Sequence, residues 1–90
     1  MLKSEMLLQI YNGSIYRSRR WRKFRQSVMA RDEFQCQECK RYGRIKQAQT
    51  VHHIEHAEDA PERFYDMSNC ISVCNDCHNR LHPEKGGRYY

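Results

Sequence analysis

No run in these 90 residues approaches the roughly 18 consecutive apolar side chains of a membrane span. The opening stretch, MLKSEMLLQIYNGS, has neither a continuous apolar segment nor a small-residue cleavage site, so no secretory leader is expected. There are no internal repeats and no low-complexity tracts. Apolar residues as a whole are scarce, 39% against 30% charged, and a single domain of this length buries a thin core. Domains so built usually carry a staple: disulfides, a metal or a partner. An unexported chain sits in a reducing compartment, where five cysteines are more readily metal ligands than a disulfide framework.

Charge is present but uneven. Residues 17–46 hold eleven Lys or Arg against Asp32, Glu33 and Glu38, a net of +8. Residues 55–66 hold Glu55, Glu58, Asp59, Glu62 and Asp66 against Arg63, a net of −4. A basic half on a small domain is the footprint of a polyanion partner, and a merely solvated basic face is its competitor.

The chain reads as helix, cysteine turn, strand, loop, strand, cysteine turn, helix. Met6 to Tyr11 could form a short helix ended by Asn12-Gly13. Trp21, Phe24, Val28 and Met29 recur at helical spacing over about 18–31, with Arg19, Arg20, Arg22, Lys23 and Arg25 on the other faces. Residues 36–39 make a tight turn, 40–43 a loop, and 49–54 a β-prone stretch. The acidic segment 55–68 reads as an irregular loop, with His56 exposed, and 69–73 as a second strand. Residues 76–82 suit a short helix, with Asn75 available as its cap and Pro83 past its end.

The stretch CNDCHNRLHP, residues 74–83, fits three chemistries: a C-x-x-C-H haem attachment, half of a four-cysteine zinc site, or two imidazoles sharing a metal. Haem would leave Cys36 and Cys39 idle and needs export. Two C-x-x-C pairs, Cys36/Cys39 and Cys74/Cys77, can close a tetrahedral site, each supplying two thiolates from one turn, although 34 residues lie between them. His78 and His82 stand four apart on one helix face. His52 and His53 are adjacent on a strand and point to opposite sides, so one metal takes one ring and leaves the other beside it as a candidate general base.

Together W-R-K-F-R-Q-S-V-M-A-R-D-E-F-Q-C-Q-E-C, V-H-H-I and S-N-C-I-S-V-C-N-D-C-H-N-R-L-H resemble the HNH endonucleases, the ββα-metal nucleases of phages, bacterial defence systems and colicins. The resemblance covers residues 18 to 83. It implies a small metal-stabilised α+β domain over 18–90, preceded by an extension over 1–17, with a ββα-metal (His-Me finger) core, an N-terminal helix and a structural Zn²⁺ on Cys36, Cys39, Cys74 and Cys77. By the same match His52, His78 and His82 hold a catalytic divalent metal, His53 is the general base, and Asn69 fixes the loop and the base's ring.

Many relatives carry Asp where this chain has His52, which shifts the site towards softer, transition-type metals and away from Mg²⁺, the candidate ions being Zn²⁺, Ni²⁺, Mn²⁺ and Mg²⁺. Many have a Pro-Leu turn where Glu55-His56-Ala57 stands, and Cys70 replaces a branched aliphatic as a small buried hydrophobe. The implied activity is hydrolysis of DNA phosphodiesters, nicking or cutting both strands, with low sequence specificity. Backbone phosphates would be held by Arg19, Arg20, Arg22, Lys23 and Arg25 of the helix and by Lys40, Arg41, Arg44 and Lys46 of the loop. The expected setting is the bacterial cytoplasm, as a monomer or weak dimer, with phage packaging or restriction proteins as partners. A non-catalytic zinc-bound DNA-binding module is the rival.

Overall fold

The computed structural model of the chain describes residues 2–81. Ser18 starts the helix on which the rest is assembled. Its hydroxyl accepts the Trp21 N–H (3.1 Å), satisfying one orphan donor of the helix start, and donates to the Ile15 carbonyl (2.7 Å). Helix α2 then runs Arg19–Arg31, burying Trp21, Val28 and Met29 as one stripe. Ahead of it, α1 (Lys3–Tyr11) begins earlier than expected at Met6 but stops where Asn12-Gly13 says it should. Gly13 takes φ +80°, a left-handed conformation that suits glycine at a helix end.

After α2 the chain reverses through Glu33 and Phe34, both at positive φ (55° and 58°) without glycine. The Phe34 N–H bonds the Met29 carbonyl (2.9 Å), and its own carbonyl accepts the Ala48 N–H (2.9 Å), which brings residues 35–47 back as a closed excursion. Cys36 opens α3 (Gln37–Arg41), with its Sγ accepting the Cys39 N–H at 3.4 Å. The expected turn and loop are therefore a helix through Lys40 and Arg41, because the thiol serves as its cap.

Strands β1 (Thr50–His53) and β2 (Cys70–Val73) pair antiparallel, with His53 opposite Cys70 and His52 opposite Ile71. Two strands alone are marginal in water, so both faces are covered. Side-chain alternation decides what each face meets. Val51, His53 and Cys70 turn to α2 and join an apolar core of Trp21, Val28, Met29 and Phe64. The segment 1–17 adds Ile10 and Ile15 to the same core. His52, Ile71 and Val73 turn the other way, towards α3 and the last described helix, α4 (Asn75–Leu81).

Three local expectations shift. Segment 55–68 is not wholly irregular: Pro61–Arg63 forms a 3-10 turn, and a second, Met67–Asn69, closes the segment. Asn69 lies in that turn and not in β2, because its side chain is engaged across the loop. Asn75 is the first residue of α4 and not its cap; its N–H bonds the Gln49 side-chain oxygen at 3.1 Å. Cys70 is buried as expected, and burial raises its thiol pKa to about 12.

Candidate metal centre and nuclease site

Two C-x-x-C units meet in space because α3 and α4 pack on the same side of the sheet. The sulfurs of Cys36, Cys39, Cys74 and Cys77 lie within 4.8 Å of one another, all buried. Cys39 Sγ stands 3.7 Å from Cys77 Sγ and 4.0 Å from Cys74 Sγ. A tetrahedral site with Zn–S of about 2.3 Å has S···S edges of ~3.8 Å, whereas a disulfide needs ~2.05 Å. The four cysteines are placed to bind a metal.

Burial opposes ionisation of Cys36, but hydrogen bonds from the Cys39 and Cys74 N–H groups and from the Cys39 and Cys77 thiols prevail and bring it down to about 7. Burial first, then hydrogen bonding with Cys74, pushes Cys77 up to about 12, and burial raises Cys39 as well. One negative charge among these sulfurs makes the next costly, and a central dication removes that repulsion. The Arg80 guanidinium donates to Cys77 Sγ at 2.9 Å and adds positive charge from outside.

On the same side of the sheet His52 meets His78 of α4, ring centroids 5.8 Å apart and edge to face. Both rings are buried. His82, the expected third partner, lies outside the described residues. The two imidazoles fit a borderline transition-type cation by donor chemistry. His52 opens onto a cavity of about 430 Å³ that Glu38, Arg41, Ile54 and Leu81 also line.

His53 sits on the opposite face. Its ring stacks on Trp21 (5.6 Å) and lies against Phe64 (4.6 Å), and its Nε2 is 3.0 Å from the Phe64 carbonyl. A carbonyl only accepts, so the neutral ring carries its proton on Nε2 and its lone pair on Nδ1.

Asn69, fully buried, ties the loop that supplies that carbonyl. Its Oδ1 accepts the Glu55 N–H (2.8 Å), and its Nδ2 donates to the carbonyls of Glu55 (3.2 Å) and Arg63 (3.3 Å). Arg63 immediately precedes Phe64, so the Asn69 amide holds the peptide one step before the one whose carbonyl meets the His53 ring. His56 is half-buried, against the expectation of an exposed loop residue; its carbonyl accepts the Asp59 and Ala60 N–H groups.

Residues 36–84 match the HNH endonuclease family. The chain belongs to that family. It is also similar, at 34% identity and a TM-score of 0.80, to the crystal structure of the HNH endonuclease of deep-sea thermophilic bacteriophage GVE2 with a manganese ion; the match covers 98% of this chain and 94% of that one. No curated protein sequence matches it. An HNH endonuclease is an enzyme, a nuclease acting on DNA, and this membership favours it over the non-catalytic zinc-bound DNA-binding module.

The basic residues of this nuclease divide into two groups on opposite sides of the sheet. On α2, Arg19, Arg22 and Lys23 are exposed, Arg20 lies 3.9 Å over the Tyr65 ring, and Arg25 donates to the Gln49 carbonyl at 2.7 Å. Beside α3, Lys40 and Arg44 are exposed, while Arg41 pairs with Glu38 (3.1 Å) and Lys46 with Asp76 (3.0 Å).

Sequence reasoning counted Arg31 and Asp32 only as charges. Arg31 donates to the carbonyls of Met67 and Cys70, both at 2.6 Å, and pairs with Asp32 (2.8 Å), which accepts the Ser72 N–H at 2.9 Å. The Arg31 bonds bracket Asn69. The available signal was an Arg-Asp pair at the end of an amphipathic helix, just before the first C-x-x-C.

Proposed function

We propose that this HNH endonuclease hydrolyses DNA phosphodiester bonds with a divalent metal held by His52, His78 and His82, while Cys36, Cys39, Cys74 and Cys77 hold a structural Zn²⁺. The observation that carries this reading is the division of His52 and His53 between the two faces of β1. His52 turns towards a second imidazole, and His53 is held by a carbonyl and two aromatic rings.

His53 Nδ1 takes a proton from the attacking water. The oxygen–phosphorus bond forms as the bond to the 3′ oxygen breaks and that oxygen takes a proton from solvent, giving 5′-phosphate and 3′-hydroxyl ends. The Phe64 carbonyl fixes the tautomer beforehand and stabilises the imidazolium that results. Asn69 ties the preceding Arg63 carbonyl and so steadies the loop that carries it. When bound, the divalent cation supplies charge stabilisation for the transition state and the leaving oxygen. Three imidazole ligands favour a borderline transition-type ion over Mg²⁺, and manganese, the ion in the GVE2 enzyme structure, is among the cations to be tested. Exposed Arg and Lys contact backbone phosphates, so sequence preference is low.

The test compares plasmid nicking with metal analysis across Mg²⁺, Mn²⁺, Ni²⁺ and Zn²⁺. His53→Ala should keep both metals and its DNA affinity while cleavage falls ~10²–10⁴-fold. His78→Ala should lose the second metal along with activity and keep the cysteine-bound one. A His53→Ala variant nicking at the parent's rate removes the base assignment. A parent that nicks with none of the four metals removes the reaction.

A further inference from the structure

The loop that leaves α3 carries two of the most exposed large apolar side chains in the described residues: Tyr42 is 68% and Ile45 87% exposed. They do not sit on a slack segment. The N–H groups of Tyr42 and Arg44 both bond the Cys39 carbonyl (3.0 Å each), and the Lys46 carbonyl accepts the Cys36 N–H at 2.7 Å. The loop is thus tied at both ends to the first cysteine pair. Gly43, at φ +76° with open space around it, makes the bend between the two apolar residues.

Two exposed apolar side chains on a tied loop form a small surface that a partner can cover, and the loop's charge says which partner. Lys40, Arg41, Arg44 and Lys46 lie within these seven residues, with the Arg41 guanidinium 5.7 Å from the Tyr42 ring. A second copy of this chain would bring those cations face to face with their equivalents. A polyanion would be attracted by them. Tyr42, Arg44 and Leu81 line one cavity, and Leu81 also lines the His52 cavity. A strand reaching His52 from this side therefore passes the loop.

We propose that residues 40–46 form a DNA wedge: Ile45 and Tyr42 enter the base stack of the duplex while Lys40 and Arg44 hold the flanking phosphates. The inference rests on the endonuclease reading and deepens it. The substrate it selects is a duplex that opens at one base step, so cleavage favours flexible pyrimidine–purine steps without reading base edges.

The test uses the zinc-loaded full chain in a His53→Ala background, which keeps the DNA intact, and duplexes carrying 2-aminopurine at successive positions. Binding should raise 2-aminopurine fluorescence at one step. Tyr42→Ala and Ile45→Ala should each abolish that rise and weaken affinity about tenfold. Zinc content, melting temperature and the salt slope of binding should stay unchanged, because no phosphate contact is lost. Tyr42→Phe should restore affinity, and Arg44→Gln should show the opposite pattern, a flatter slope with the fluorescence rise retained.

Parent-like affinity in both alanine variants overturns the wedge. So does a loss accompanied by a flatter slope. A change in sedimentation without a change in DNA affinity assigns the loop to self-association and overturns it too. Plasmid nicking by the unsubstituted chain, run alongside, separates failure of the wedge from failure of the nuclease reading.

Discussion

Replacing Arg31 by Met keeps the length of the stem and removes three groups of contacts at once. The guanidinium bonds the Met67 and Cys70 carbonyls at 2.6 Å each and the Asp32 carboxylate at 2.8 and 3.0 Å. A hydrogen bond to a charged group contributes ~1.5–3 kcal/mol when shielded. The Arg31 side chain is 36% exposed, so about 1 kcal/mol for each carbonyl is the appropriate figure, with about 1 kcal/mol more for the ion pair. The sum is about 3 kcal/mol.

Urea unfolding of the zinc-loaded chain at fixed free zinc reads this directly. With a slope near ~1 kcal/mol per molar, the midpoint should fall by about 2–3 M. Arg31→Lys should recover no more than about a third of that, because one ammonium cannot span three acceptors. Under conditions where Arg31→Met remains folded, nicking should still be depressed, since the segment holding Asn69 has lost its bracket. A midpoint within about half a molar of the parent refutes the clamp.

Cys36→Ser should lose the cysteine-bound metal and with it cooperative unfolding, since metal-binding energy of order 10 kcal/mol is folding energy in such domains; a variant that melts like the parent with its zinc retained refutes this. The Asp32 carboxyl is held below its usual 3.8 despite burial, by the Arg31 guanidinium and the Ser72 N–H. Its stabilisation is therefore complete above that pH and lost only as pH falls through the lower folded value. The stability deficit of Asp32→Asn should accordingly stay constant from about pH 8 to pH 5, and a deficit that shrinks within that window counts against it. Exchanging Arg19, Arg22 and Lys23 for Gln should weaken binding to unrelated duplexes equally and flatten the salt slope by about one unit per lost phosphate contact; an unchanged slope assigns that face of α2 to solvation.

Elements with a strong local cause were legible in the sequence. The stripe of Trp21, Phe24, Val28 and Met29 marked α2, Asn12-Gly13 marked the end of α1, and two C-x-x-C pairs marked the cysteine cluster. What escaped depends on contacts between distant residues. Nothing local says that Arg31 reaches the carbonyls on either side of Asn69, 36 and 39 positions away. Nothing local says that residues 1–17 complete the core through Ile10 and Ile15. The even-looking basic half separates into two surfaces only once the sheet lies between α2 and α3, and Arg20, Arg25, Arg41 and Lys46 prove to have partners within the chain.

The arrangement also explains how so small a sheet holds two adjacent imidazoles in different surroundings. The period of a strand places His52 and His53 on opposite faces at no cost in sequence length. Each face then needs its own anchor, because two four-residue strands do not hold themselves flat. On the His52 side the cysteine cluster fixes α3 and α4 against Ile71 and Val73. On the His53 side Trp21 and Phe64 clamp the ring, and Asn69 holds the Arg63 carbonyl, one peptide before the Phe64 carbonyl that the ring meets. The thin core covers one face only; on the other face four buried cysteines are placed to bind a metal. A chain with a fuller apolar core on both faces would have no room beside β1 for a buried imidazole pair.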